Sequence, residues 1–567
     1  MPSPKRIVIV GGVAGGAAAA TRARRLSEDA EIVLFERGEH ISFANCGLPY
    51  HISGTIAERD ALLIQTPRRM RRRYGIDVRT RTEVTAVNRE AREVTVRDLT
   101  DGTEWTQGYD VLILSPGAAP VRPPIDGADA PGVLTLRNMA DMDAIKQLAD
   151  AHAGGSALVV GGGYIGLEMT EALRDRGFHV VLVEATDQVF IAADPEIAAP
   201  VHATLIAHGV DLRLGTAVTG IRQAGRKLVA ALADASSVEC DVVVLAVGVR
   251  PEVDLARAAG LDIGPTGGIA VDNHMRTSDE RIFAVGDAAE ATHVVSQTPA
   301  LIPLAGPAAR QGRVAADNAL GRNSTYGNTQ GTAICKVFDM AIGMTGLTAK
   351  AARAADVTVE TITVHEPSHA SYYPGAGSLT LKLVFDPDGG TVLGAQVVGT
   401  DGVDKRIDVL AVAVRAQLTV EALAQQELAY APPFGSAKDP VNVAGFVASN
   451  VRSGDMGLCH VSDAMDPAEG QILLDVRTAG EVARGTIPGA INVPLDELRG
   501  RLDEIPPDKE VLAFCEVGVR AYLACRILTQ NGFACRNLTG GYTSYLAATT
   551  RGLSDAPPKS PTGEAAD

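Results

Sequence analysis

Arg6-Ile7-Val8-Ile9-Val10-Gly11-Gly12-Val13-Ala14-Gly15-Gly16 is a short apolar run that ends in glycines. Four consecutive branched aliphatics fit a strand buried on both faces. The glycines fit a tight turn whose bare amides open a helix, an arrangement that holds a pyrophosphate. An alanine-rich helix is predicted through Arg25, then the strand Glu31-Ile32-Val33-Leu34-Phe35, ending at Glu36. That acid stands where a ribose hydroxyl is held in such a βαβ unit. Val13 occupies the middle glycine position of G-x-G-x-x-G, a departure from the full pattern.

The pattern returns complete in Leu158-Val159-Val160-Gly161-Gly162-Gly163-Tyr164-Ile165-Gly166, followed by a helix and by Val180-Val181-Leu182-Val183-Glu184. Two such units are far more specific than one, and they predict an α/β fold with two Rossmann-like dinucleotide sites. Glu184 accepts from a free 2′-hydroxyl and repels a 2′-phosphate, so the second site favours NADH over NADPH.

Composition narrows the remaining classes. At 567 residues the chain has room for three or four domains of roughly 100–200 residues each. A net charge of −16 argues against nucleic acid as the main partner. The basic run Arg68, Arg69, Arg71, Arg72 and Arg73 fits a solvated helix face or a local phosphate contact. No apolar run reaches the ~18 residues that suggest a membrane span, and the first strand ends in glycines unlike a signal peptide. A cytoplasmic location is expected. The seven cysteines show no Cys-x-x-Cys and no metal-like spacing, so reduced thiols are expected, with no metal site.

Further along, Asp110-Val111-Leu112-Ile113-Leu114-Ser115-Pro116-Gly117 and Ile282-Phe283-Ala284-Val285-Gly286-Asp287 complete a recognisable set. With the two glycine units, they resemble the pyridine nucleotide-disulfide oxidoreductases. That resemblance implies FAD in the first fold, held by positions including Gly11, Val13, Gly16, Glu36, Arg37, Ser115 and Gly117, with Asp287 on a ribityl hydroxyl. It implies NADH at Gly161, Gly163, Gly166 and Glu184. It also implies a discontinuous FAD domain, 1–115 and 250–322, an NADH domain at 116–249, and an α/β dimerisation domain at 323–450 that makes a homodimer. Beyond it, Ile472-Leu473-Leu474-Asp475-Val476-Arg477, Ile487-Pro488-Gly489-Ala490 and Val511-Leu512-Ala513-Phe514-Cys515 resemble a rhodanese domain, 458–550. The tail 552–567, rich in Pro, Ser, Gly and Ala, is expected to be disordered.

Two cysteines carry the chemistry. Cys46 lies in Ser42-Phe43-Ala44-Asn45-Cys46-Gly47-Leu48-Pro49-Tyr50 with no second cysteine near it, so it pairs with something external: a small thiol, a persulfide, or oxygen as sulfenic acid. The motif is similar to the coenzyme A-disulfide reductase and persulfide reductase branch, which also carries His369-Ala370-Ser371-Tyr372-Tyr373-Pro374-Gly375 and Tyr430-Ala431-Pro432-Pro433. The resemblance implies that Tyr373 and Tyr430 reach the cysteine of the other subunit, and that Arg22, Arg25, Ser42, Asn45 and Lys438 contact coenzyme A. Cys515 opens the loop Glu516, Val517, Gly518, Val519 and Arg520 before a predicted helix, where amides and the helix dipole can hold a thiolate or persulfide. By resemblance it carries sulfane sulfur. Glu516 stands where many rhodaneses have a basic residue, and Thr486 replaces a histidine, which weakens thiosulfate as donor relative to a persulfide. The function implied is FAD-dependent NADH reduction of persulfides, polysulfides and coenzyme A disulfide. An oxidase or peroxidase using a sulfenic acid, and a sulfur sensor that docks a partner, stay open.

Overall fold

The computed structural model describes residues 4–549, and the tail predicted to be disordered, 552–567, lies outside them. The chain divides into two compact units, one running to Ala185 and resuming over Thr216–Gly331, the other made of Thr186–Gly215 and the residues from Thr332 onward.

In the first unit, five parallel strands stand in the order Ile282–Ala284, Val111–Leu114, Arg6–Val10, Glu31–Phe35, Asp77–Arg79. Ile7, Val8 and Ile9 are at most 1 % exposed, as a centre strand covered on both faces requires. Burying each such side chain stabilises the fold by roughly 1.5–3 kcal/mol. The helix Ala14–Leu26 crosses to the neighbouring strand and lies against the helix Ala305–Ala319. Small residues on both permit it: a Cβ on Gly312 would come within 2.2 Å of the Gly15 carbonyl oxygen. A second parallel sheet contains His179–Val183, Ser156–Val160, Val242–Leu245 and Val133–Leu134 in that order.

The two glycine turns share their geometry. Gly11 (φ +92°) and Gly161 (φ +103°) occupy the left-handed region, and a Cβ on either would strike a facing carbonyl, that of Ser115 at 2.0 Å or Ala246 at 2.5 Å. A Cβ on Gly16 or Gly166 would strike the first glycine's own carbonyl at 1.9 Å. Both turns thus need glycine at the first and last positions, whereas Val13 is accommodated at the middle of the first.

The second unit holds a five-stranded antiparallel sheet, in the order Ala333–Val337, Met340–Gly346, Val392–Gly399, Ser378–Phe385, Glu360–Pro367. It also holds a parallel sheet, Gly457–Cys459, Cys535–Leu538, Glu510–Phe514, Gln471–Asp475, Ile491–Asn492. The outermost strand of the first sheet is not left bare. Its Thr363 amide donates to Thr539 Oγ1 at 2.7 Å, and His365 Nε2 pairs with Ser544 Oγ at 2.9 Å, so residues following the parallel sheet cover that edge. Burial holds His365 down at about 4, so it stays neutral there at physiological pH. No helix among the described residues is long and apolar enough to cross a membrane.

Candidate active site

A cavity of about 1260 Å³ opens in the first unit at the carboxyl ends of its parallel strands. The predicted Gly11, Val13, Glu36, Arg37, Asn45, Cys46, Ser115, Gly117 and Asp287 all line it. Val13, Ala14 and Gly15, at the start of the helix Ala14–Leu26, form part of the same wall. An open helix N-terminus suits a pyrophosphate. One oxygen of Glu36 accepts from the Gly12 amide at 2.8 Å and the other from the Gly38 amide at 2.7 Å, which fixes the carboxylate at the end of its strand. Glu184 does the same in the second sheet, accepting from Gly162 at 2.7 Å. Burial raises the Asp287 carboxyl, with Arg137 opposing. A half-desolvated carboxylate facing a cavity suits the hydroxyl of a polyol. These residues fit FAD and a nicotinamide dinucleotide.

Cys46 sits in a single 3₁₀ turn, Asn45–Gly47, that feeds the helix Leu48–Ser53. The residue is exposed, yet its thiol stands on the cavity wall, where burial first, then the charges of Glu168 and Asp287, raise its pKa. Glu168 projects from the helix Tyr164–Asp175 and accepts from the Tyr50 hydroxyl at 3.4 Å. Burial lifts its carboxyl to about 7, and that hydrogen bond only partly offsets the lift. Neither Tyr50 nor Glu168 was singled out from sequence. The signal was available, since Tyr50 closes the cysteine motif and Glu168 follows the second glycine turn by two residues.

Three predicted coenzyme A contacts of this unit, Arg22, Arg25 and Ser42, do not line the cavity. Arg22 Nε donates to Asp317 at 2.6 Å in a largely buried pair, while Arg25 is exposed on the same helix. Ser42 holds φ +44° and donates its amide to the Gly12 carbonyl, which ties the cysteine loop to the glycine turn.

In the second unit, Tyr430 Oη lies 2.9 Å from the hydroxyl of Tyr372, and both side chains are exposed. Tyr373 instead sets its ring edge-on to His369, centroids 5.7 Å apart. The two loops are clamped by Arg406. Its guanidinium is 2 % exposed, donates to the Ser368 carbonyl at 2.6 Å and pairs with Asp439 at 2.9 Å. Asp439 also caps the helix Pro440–Arg452, and the exposed Lys438 precedes it. Tyr372, Arg406 and Asp439 are additions to the residues expected from sequence.

Cys515 directly follows the strand Glu510–Phe514 and is 1 % exposed. The Gly518 amide donates to its sulfur at 3.2 Å. Gly518 (φ +103°) also caps the helix Val519–Gln530. Arg520, whose charge also acts on Cys515, grips Glu481 at 2.6 and 2.8 Å, and with Thr478 it holds the Glu481 carboxyl down at about 2. Glu516 pairs with Arg477 at 2.9 Å. Arg477 in turn pairs with the buried Asp475 and lies 4.2 Å above the Tyr542 ring. Thr486, at the position read as a replaced histidine, donates to Asp475 at 2.7 Å. Of the expected amide cradle one amide reaches the sulfur, and the Arg520 guanidinium adds its charge nearby.

Residues 5–312 match the pyridine nucleotide-disulphide oxidoreductase model, 332–440 its dimerisation domain, and 461–548 the rhodanese-like domain. The chain is 35 % identical over 448 residues to coenzyme A disulfide reductase of Staphylococcus haemolyticus, covering 79 % of this chain and 100 % of that one. Among solved structures, reduced Bacillus anthracis CoADR-RHD is 46 % identical, with a TM-score of 0.93 over 96 % of this chain and 98 % of that one. A NAD-dependent persulfide reductase from A. fulgidus is 38 % identical, with a TM-score of 0.88 over 95 % of this chain and 100 % of that one.

Proposed function

We propose that this chain, which belongs to the pyridine nucleotide-disulphide oxidoreductase family and carries a rhodanese-like domain, is an FAD-dependent, NADH-using reductase of persulfides and coenzyme A disulfide. The observation that carries the reading is Cys46, the one cysteine among the residues lining a cavity whose other walls are a glycine turn, Glu36 and Asp287. A thiol placed there without a cysteine partner accepts an external sulfur compound. Two of the relatives are named for such compounds.

In this reading Gly11, Val13, Gly16, Glu36, Arg37, Ser115, Gly117 and Asp287 hold FAD, and Gly161, Gly163, Gly166 and Glu184 hold NADH. FAD supplies, when bound, the electron pair drawn from NADH. The Cys46 thiolate attacks the coenzyme A-bound sulfur of a persulfide, expels hydrosulfide and leaves a mixed disulfide; with coenzyme A disulfide the leaving group is the coenzyme A thiolate. Two electrons then restore the thiolate and release coenzyme A thiol. Asn45 and Ser42 flank the thiol end of the coenzyme, and Arg22, Arg25 and Lys438 serve its phosphates. Asp317 already engages Arg22, which leaves the exposed Arg25 and Lys438 the freer cations. Tyr430, with Tyr373 or its neighbour Tyr372, serves the cysteine of a second copy in a homodimer by donating a proton to the leaving thiolate. Cys515 carries sulfane sulfur on its loop of Glu516, Val517, Gly518, Val519 and Arg520, handing it to coenzyme A thiol. The domains run over 1–115 with 250–322 for FAD, 116–249 for NADH, 323–450 for dimerisation and 458–550 for the rhodanese, in a cytoplasmic enzyme.

The test is anaerobic NADH oxidation with coenzyme A persulfide, coenzyme A disulfide or hydrogen peroxide as acceptor, with sulfide followed alongside. Sulfide produced in step with NADH loss, fastest for the persulfide, is expected. Turnover with peroxide alone would transfer Cys46 to sulfenic acid chemistry.

A further inference from the structure

The reductase reading uses Cys46 and Cys515 and leaves five cysteines without a role. Two of these meet. Cys525 lies in the helix Val519–Gln530 and Cys535 begins the strand Cys535–Leu538, and their two sulfurs share a hydrogen bond at 2.9 Å. A disulfide places its sulfurs roughly 2.05 Å apart, so closing this pair takes about 1 Å of movement between two neighbouring elements. Their surroundings differ. Cys525 is 2 % exposed inside the apolar cluster that also contains Cys515, whereas Cys535 is only half-buried at that cluster's rim. Its hydrogen bond with Cys535, and then burial, push the Cys525 thiol well up. A reachable thiol in front of a protected one is the arrangement of an attacking and a resolving cysteine.

We propose that Cys525 and Cys535 form a second redox centre, a dithiol that reduces sulfane sulfur to sulfide and closes to a disulfide. Cys535 attacks the terminal sulfur of a persulfide or polysulfide, breaking its S–S bond and expelling the donor thiolate, and becomes a cysteine persulfide. Cys525 attacks Cys535 Sγ, the new S–S bond joins the two cysteines, and hydrosulfide leaves. The two cysteines give up two electrons and two protons. The sulfane sulfur takes the electrons, and the donor thiolate and hydrosulfide share the protons. A small thiol reopens the pair by exchange.

The site is coupled to the rhodanese loop by its position. The helix that carries Cys525 is capped by Gly518, the residue whose amide binds Cys515, and the strand that Cys535 begins carries Asn537, whose side-chain amide donates to the Gly518 carbonyl at 3.2 Å. A disulfide would join the two elements that fix Gly518.

The experiment treats the reduced holoenzyme with inorganic polysulfide, without NADH and without oxygen, and then alkylates and digests it with trypsin. Cleavage after Arg520, Arg526 and Arg536 puts Cys525 and Cys535 on separate peptides, 521–526 and 527–536, with Cys515 on a third. The expected product is those two peptides joined by a disulfide that dithiothreitol releases. The Cys46→Ser/Cys515→Ser variant should still form it, with one equivalent of sulfide per closed pair, and adding Cys535→Ser should abolish both. Separately alkylated Cys525 and Cys535 in the treated wild-type holoenzyme, or a disulfide that joins Cys535 to Cys459 instead, would overturn the proposal. Cys535→Ser alone should leave NADH-driven reduction of coenzyme A persulfide unchanged, which separates a failure here from a failure of the reductase reading.

Discussion

Cys46 and Cys515 carry the same atom in opposite settings. Cys46 is reachable, stands on the wall of a large cavity, and has carboxylates as its charged neighbours, with burial and then Glu168 and Asp287 opposing its ionisation. Cys515 is buried, receives the Gly518 amide at 3.2 Å, and has the Arg520 guanidinium beside it. An amide and a cation stabilise a resident anion. Burial beside Glu168 and Asp287 disfavours one until a bound group alters the field. Storage of sulfane sulfur thus suits the second site, and turnover on demand suits the first.

The comparison breaks most sharply if either sulfur proves dispensable. Cys46→Ser should lower NADH-driven reduction of coenzyme A persulfide by on the order of 10⁴-fold or more, as removal of an enzymic nucleophile does. The flavin absorbance of the purified variant should be retained, because Cys46 sits on a turn outside the glycine loop. Near-normal turnover would remove the cysteine from the mechanism. Cys515→Ser should spare reduction of preformed coenzyme A persulfide and abolish sulfur transfer from donors that load the rhodanese domain. Unchanged transfer would make that domain a scaffold.

Arg520→Met tests the cation directly. It removes the guanidinium from Cys515 and leaves the Glu481 carboxylate unpaired close by. Sulfur transfer should fall on the order of 10²-fold, the scale set by losing one partner of a part-buried, doubly hydrogen-bonded charge pair. Glu481 also ties stability to pH in the wild type. Its folded pKa of about 2 lies below its ordinary 4.5, so the stability it lends is complete above 4.5 and lost as the pH falls towards 2. In Arg520→Met the melting temperature should lose that part of its acid dependence, as read by calorimetry between pH 5 and 2.5. An unaltered slope would mean that Glu481 owes its depression to Thr478 alone.

The chain shows which of these features a sequence can carry. Glycine turns and apolar strands are local, so both dinucleotide units, the parallel sheets and Cys515 at a strand end could be read from adjacent residues. What could not be read depends on residues far apart in sequence. Arg406 clamps loops at Ser368 and Asp439, and nothing in Val403–Arg415 marks one cation of a helix as buried. The choice of Tyr372 over Tyr373 as the hydroxyl facing Tyr430 turns on side-chain direction between adjacent residues. The residues around Cys46 give no hint of Glu168, which lies 122 positions on and is delivered by the other dinucleotide unit's helix.

Glu168 is where the smallest effect is expected and where the contrast between the two sulfurs is most open to adjustment. Its carboxyl is lifted to about 7 by burial, so near neutrality it is divided between a neutral form and an anion that opposes the Cys46 thiolate. Glu168→Gln removes the anion while keeping an acceptor for the Tyr50 hydroxyl. Burial, the largest cause of the raised Cys46 pKa, and the Asp287 charge both persist, so the correction must be partial. The iodoacetamide profile of Cys46 should move to lower pH by at most about one unit, which is up to tenfold in rate at a fixed pH below the midpoint. Stability gives an independent reading with a definite sign. A folded pKa of about 7 against 4.5 means that the folded state holds this proton more tightly, so wild-type stability falls as the pH rises from 4.5 through 7. Glu168→Gln should lack that decline and should melt above the wild type at pH 8 by more than at pH 5. Parallel melting curves across that range would show that Glu168 ionises as an ordinary surface acid, and the contrast with Cys515 would then rest on burial and Asp287.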